Sequence, residues 1–192
     1  MGTMIEIRIH GRGGQGVVLA SELFVDALIR EGRYAASFPF FGFERRGAPV
    51  VGFVRFHDQP IRQKDQIYRP DAVVVLDSTL FKAVNIYEGL KPGGTLVVNE
   101  NKTLGELSIH SAVQKAGVVD ATRISMETIR TFIPNTAMLG ALCKTTGWVK
   151  FDSLVKAVSD GMDRKILKKN LLIMERAFEE TRVYERGEKG WP

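Results

Sequence analysis

Gly11, Gly13 and Gly16 stand at G-x-G-x-x-G spacing in the segment GRGGQG, residues 11–16, with Gly14 as a further glycine. Glycines so spaced let a chain turn tightly and bring backbone N–H groups close to a ligand. A helix starting just after them offers its positive dipole end to an anion. The expected chemistry is phosphate binding, with Arg12 and Gln15 as the side chains of the loop. A dinucleotide site also wants an Asp or Glu at the end of the second strand, about 20 residues on, for the ribose hydroxyls. That region reads YAASFPFFGF and holds no acid, so a standard NAD site is disfavoured. A phosphate contact, a contact with a partner chain and a plain turn packing helix on strand stay open.

A second candidate lies in SFPFFGFERRGAP, residues 37–49. Arg45 and Arg46 suit a phosphate or carboxylate, gripped through two parallel N–H donors. A solvated pair making local salt bridges is the bland alternative. Phe38, Phe40, Phe41 and Phe43 crowd the same stretch, which reads as a loop with its aromatics tucked in. Such a cluster suggests burial under another chain.

Other chemistry is missing. Cys143 is the single cysteine, so the chain can hold neither an internal disulfide nor a thiolate-ligated cluster or zinc. His10, His57 and His110 are scattered, with no HExxH spacing. There is no GxSxG elbow, no P-loop ending in G-K-[ST], no suggested Cys–His pair and no thiamine diphosphate signature. The net charge is +5, but bases and acids are interleaved except in FERRGAP and DRKILKKN. That distribution argues against a nucleic-acid partner. The apolar runs are too short to span a bilayer, and MGTMIEIRIH does not read as a signal peptide. A cytoplasmic protein without membrane attachment is expected. By its chemistry the chain reads as a binding subunit rather than a complete enzyme.

The elements that must position these residues alternate in kind. IEIRI reads as a strand, and VVLASELFVDALIREG as a helix with Leu19, Ala20, Leu23, Phe24, Ala27 and Leu28 on one stripe, closed by Gly32. APVVGFVRF, DAVVVLD and GTLVVNE read as strands, the second as a central parallel one. Between the last two, Thr79 is expected to cap a helix over LFKAVNIYEGL. VVDATRIS reads as a further strand, and PNTAMLGALCKTTG as a helix capped by Asn135 or Thr136 and ending near Gly147. Asp152 or Ser153 and then Asp163 start two more helices, the last with Leu167, Leu171, Met174 and Phe178 on one face. One α/β domain is expected over residues 1–192, a three-layer Rossmann-like fold with a mostly parallel sheet. Residues 181–192 are expected to form a mobile tail.

IRIHGRGGQGVVLASELFVDALIREG, SFPFFGFERRGAPVVGFVRF, PDAVVVLD and PNTAMLGAL together resemble the gamma subunits of 2-oxoacid:ferredoxin oxidoreductases, with the pyruvate-oxidising members nearest. The resemblance covers roughly residues 4–180. It implies an enzyme that oxidatively decarboxylates a 2-oxoacid, forms acyl-CoA and passes electrons to ferredoxin. It further implies alpha, beta and delta partner chains, with thiamine diphosphate between alpha and beta and iron–sulfur clusters in beta and delta. No cofactor is expected in this chain, apart from a share in coenzyme A binding. The residues suited to that share are Gly11, Arg12, Gly13, Gly14, Gln15 and Gly16 with Arg45 and Arg46. A stand-alone phosphate-binding regulatory module is the rival, as is a gamma subunit for 2-oxoisovalerate, 2-oxoglutarate or indolepyruvate.

Overall fold

The computed structural model describes residues 2–40 and 46–192. Strand β1 (Ile5–Arg12) leads through the glycine loop into helix α1 (Val17–Arg30). An antiparallel hairpin follows, β2 (Tyr34–Phe40) and β3 (Pro49–His57). Then come β4 (Ala72–Val75), β5 (Gly94–Asn99) and β6 (Val113–Val119). Helices α2 (Ala121–Ile129), α3 (Asn135–Thr146), α4 (Phe151–Gly161) and α5 (Arg164–Glu180) precede the last strand, β7 (Arg182–Glu185).

The strands form one sheet in the order β2-β3-β1-β4-β5-β6-β7. Its middle, β1, β4, β5 and β6, runs parallel, with antiparallel strands added at both ends. This is the α/β fold that the alternating segments predict. All of β4 is buried because its alternate side chains enter opposite cores. Ala72 and Val74 join Ile7, Ile9, Val54 and Phe56 beneath the helices. Val73 and Val75 face Leu80, Ile86, Leu90 and Leu104, in a thinner layer of short turns. The predicted stripe of α1 lies in the first core, as does the α5 face built on Met174.

Helix α3 is buried nearly all round, between sheet and α5. A Cβ on Gly140 would sit 2.2 Å from the carbonyl oxygen of Met174, so glycine sets the approach of the α3 and α5 backbones. Gly147 closes α3 in the left-handed region, at φ 63°, as its position predicts. The cap is different: Pro134 occupies it, with no side-chain cap bond.

Further expectations change, among them the start of α4, which follows Lys150 and not Asp152 or Ser153. Ser37–Phe40 belong to strand β2 rather than a loop, with Phe38 opposite Phe53 and their rings 5.3 Å apart. Pro39 is tolerated because β2 is an edge strand, where a missing N–H is harmless. LFKAVNIYEGL forms only a 3-10 turn over Ser78–Lys82, capped by Asp77 instead of Thr79. Arg8 takes the carbonyls of Ile86 and Glu88, groups that a helix there would otherwise engage. VVDATRIS divides at Asp120: the strand stops at Val119, and the Asp120 carboxylate caps α2 by accepting the Arg123 N–H at 2.9 Å. The segment expected to be a mobile tail adds β7 to β6, Val183 opposite Gly117, and Trp191 packs on the second core.

Candidate functional site

The site grows from the end of β1. Gly14 (φ 94°) and Gly16 (φ 79°) adopt left-handed backbone, and Gly16 is the residue before α1. Gly16 is also a close approach, since a Cβ there would lie 2.3 Å from the side-chain nitrogen of Asn135. Gly11 lies against α1, where a Cβ would come 2.5 Å from Val17. Gly13 is sewn to the chain leaving the arginine segment: its N–H donates to Ala48 O at 2.9 Å and its carbonyl accepts from Gly47 N–H at 3.1 Å. Three stretches distant in sequence, GRGGQG, RGAP and PNTAM, therefore meet at one corner.

Arg12 and Gln15 turn inward. Arg12 donates to Gly47 O at 3.0 Å, to Asp77 Oδ2 at 3.1 Å and to Thr79 Oγ1 at 2.7 Å. The Gln15 carbonyl accepts the Arg12 N–H at 2.8 Å, and its amide donates to Asp77 Oδ2 at 3.0 Å. These two side chains lock the loop to the end of β4. Asp77 is the acceptor at the centre of that lock, and sequence reading passed over it as the last residue of DAVVVLD. Burial alone would raise its pKa. Hydrogen bonds from Thr79 and Gln15, with the Arg12 charge, instead hold the carboxylate below its ordinary range. Asp77→Ala is expected to lower the stability of the chain by about 1–3 kcal/mol, because Arg12 and Gln15 lose a shared partner. Thermal unfolding of the two proteins checks this.

The loop presents two clefts. One, of about 560 Å³, lies beyond the carboxyl ends of β4 and β5, with Gln15, Asp77, Asn99, Glu100 and Asp120 among its lining. Three carboxylates stand in that wall against one guanidinium, Arg123, a balance that does not favour a polyphosphate. The place of a ribose-binding acid is also absent by topology. The strand after α1 is the edge strand β2, antiparallel to β3, not a parallel neighbour of β1. The second cleft, of about 440 Å³, is lined by Arg12, Gly13, Gly14, Gly16, Val17 and Val50 among others. Among the described residues, no acceptor meets the N–H groups of Gly14, Gly16 and Val17. Arg46 is exposed beside them, its Cγ 3.9 Å from where a Gly14 Cβ would stand. Amides at a helix start with a guanidinium alongside can bind an anion. Arg45 lies outside the described residues, as do Phe41 and Phe43.

Among the described residues, no cluster of His, Cys, Asp and Glu could hold a metal ion, and no helix is long and apolar enough to cross a membrane. Cys143 is buried, donates to Val149 O at 3.1 Å, and has its thiol pushed up to about 11 by burial and by the Glu31 charge.

The sequence profile described as pyruvate ferredoxin/flavodoxin oxidoreductase matches residues 6–180. The chain is 49% identical, over 95% of its length and 100% of the relative's, to a protein of Thermococcus litoralis named pyruvate/ketoisovalerate oxidoreductases common subunit gamma. It is 48% identical, over 94% of its length and 96% of the relative's, to the gamma subunit of the NADH-dependent phenylglyoxylate dehydrogenase of Aromatoleum evansii. A crystal structure of pyruvate oxidoreductase subunit PORC from Thermotoga maritima superposes with a TM-score of 0.82 at 36% identity. It covers 96% of this chain and 100% of that one.

Proposed function

Since the chain belongs to the pyruvate ferredoxin/flavodoxin oxidoreductase family, we propose that it works as the gamma subunit of a pyruvate:ferredoxin oxidoreductase. In that enzyme a 2-oxoacid is oxidatively decarboxylated to acyl-CoA and CO2, and the electrons leave on ferredoxin. The observation that carries the reading is the similarity to gamma subunits along almost the whole of both chains. A stand-alone regulatory module is not favoured for the same reason. Alpha, beta and delta chains are the partners proposed, with thiamine diphosphate and the iron–sulfur clusters held by them. Cys143 is the single cysteine here and by itself cannot supply the four thiolates that such a cluster takes.

Substrate choice is assigned to the other chains. Gamma subunits at 49% and 48% identity carry names that refer to different 2-oxoacids, and one of them is named as common to two oxidoreductases. Coenzyme A is the ligand that this chain is suited to touch. It is polyanionic, and the second cleft offers the Gly14, Gly16 and Val17 amides with Arg46. These groups would seat one of its phosphates, and the same role is proposed for Arg45 from its place in the sequence beside Arg46. Coenzyme A supplies the thiol that accepts the acyl group; the part of this chain is to hold and orient it. Arg12 and Gln15 act indirectly, by keeping the loop in shape.

Purification from the native source is expected to bring this chain down with three others in a brown complex that reduces a dye with pyruvate and coenzyme A. Recovery of a lone, colourless chain would overturn the subunit reading. In the reconstituted complex, Arg46→Ala is expected to raise KM for coenzyme A by about 10–100-fold with little change in kcat, the worth of one charge-assisted contact. An unchanged KM in a fully assembled variant would remove Arg46 from the site.

A further inference from the structure

On β1, Ile7 and Ile9 enter the helix-covered core, so Arg8 and His10 project from the opposite face. Among the described residues, that face is covered by the 3-10 turn at Ser78–Lys82 and neighbouring short turns, not by an α-helix. Above it lies a pocket of about 490 Å³, walled by Val51, Phe53, Ile67, Leu80 and Val84, and Arg8 and His10 reach it from the sheet. Both are more than nine-tenths buried, at 7% and 6% exposure. Each has a buried nitrogen without a hydrogen-bond partner among the described residues, Nε of Arg8 and Nε2 of His10. Arg8 spends Nη2 on the carbonyls of Ile86 and Glu88. The Glu88 carboxylate acts on it only at longer range, from an exposed position on the rim. A buried guanidinium with no carboxylate in contact is costly unless an anion completes it.

From this geometry we infer that the pocket over β1 is a binding site for a carboxylate carried on a compact apolar body, with the carboxylate on Arg8 Nε and His10 Nε2 and the body against Val51, Phe53, Leu80 and Val84. The chemistry divides between the two residues. His10 is held neutral at pH 7, its pKa lowered to about 3 by burial and by the Arg8 charge. Arg8 therefore supplies the charge, and His10 supplies a hydrogen bond. The volume lies within the range of about 300–1,000 Å³ usual for small-molecule sites. The wall is more apolar than polar, although Gln66, Asn85 and Glu88 also line it, and it suits a compact apolar body better than a sugar or a polyphosphate. The pocket shares Val50 and Val51 with the second glycine-loop cleft but takes its polar groups from Arg8 and His10, and the inference stands whether or not the subunit reading does. The acid can come from a free monocarboxylate or from an acidic side chain of a neighbouring subunit.

The test uses phenylacetate and its neutral isostere phenylacetamide, titrated into the 192-residue chain while the His10 ring and Arg8 Nε–H signals are followed by NMR. Phenylacetate is expected to shift both signals saturably, and phenylacetamide to bind at least about tenfold more weakly. Arg8→Met removes the charge at similar volume, and Val84→Trp fills the pocket from its loop wall without touching the cation. Each is expected to weaken phenylacetate binding by at least about tenfold. Absence of saturable shifts, equal binding of acid and amide, or undiminished binding by a folded Val84→Trp chain would overturn the proposal. Repeating the titration on the assembled complex separates the two sources. Retained binding assigns the site to a free acid, and binding lost on assembly assigns it to a partner's acidic side chain.

Discussion

Lowering the pH from 6.5 to about 3 is expected to cost this chain roughly 4 kcal/mol more than it costs a His10→Gln variant. The difference comes from one ring. Buried on β1 beside Arg8, His10 takes no proton in the folded state until about pH 3. In the unfolded chain it takes one near pH 6.5. Between those values the unfolded state binds more protons, so stability falls as pH falls. The contribution is complete above pH 6.5 and gone near pH 3. Carboxylates elsewhere titrate alike in both proteins and cancel in the comparison. Urea unfolding across the range gives the slopes, and parallel curves for the two proteins would refute the assignment.

Gly140→Ala is expected to lower stability by about 3 kcal/mol, which for a chain of this size means a fall in Tm of about 6–12 °C. The added methyl would meet the Met174 carbonyl oxygen at 2.2 Å and the Phe178 nitrogen at 3.1 Å, both backbone atoms of α5. A side chain can swing away from such a contact; a helix backbone moves only by separating α3 from α5. The better helix propensity of alanine, about 1 kcal/mol, offsets part of the cost. Gly32→Ala is the control. Its φ is 80° but nothing lies within 4 Å of the new methyl, so only the smaller backbone cost of about 1–2 kcal/mol is expected. Equal melting of the two variants would mean that α3 and α5 are free to part.

The parts of the fold legible in sequence are those set by neighbours along the chain. The α1 stripe, the Gly147 stop and the Asp163 cap are of that kind, Asp163 accepting the Lys165 N–H at 2.7 Å. The glycine loop was legible as a loop between strand and helix. Its partners were not, because Asp77, Ala48 and Asn135 come to it only through the tertiary fold. The direction of Gln15 shows the same limit: its type suggests a ligand contact, while the nearby Asp77 carboxylate draws it inward. β2 was missed because a Phe-Pro-Phe run carries no strand alternation, and its pairing with β3 decides the matter. Arg8 and His10 were invisible as a pair, since an alternating strand gives no sign that one of its faces lies under a pocket.

The order in which the chain is synthesised turns one contact into a burden on the cell. Glu31, just past α1, accepts the N–H of Lys150, 119 residues later, at 2.7 Å. Leu23, Phe24, Ala27 and Leu28 of α1 are buried with residues of α3, α4 and α5 in a single core. A ribosome that has completed the first five strands therefore still displays an apolar helix and a bare sheet face, with their covering yet to emerge. Contacts this distant along the chain form slowly, and exposed surfaces of this kind associate with one another in the meantime. A nascent chain stalled before α5 would then be a substrate for chaperones rather than a smaller folded protein.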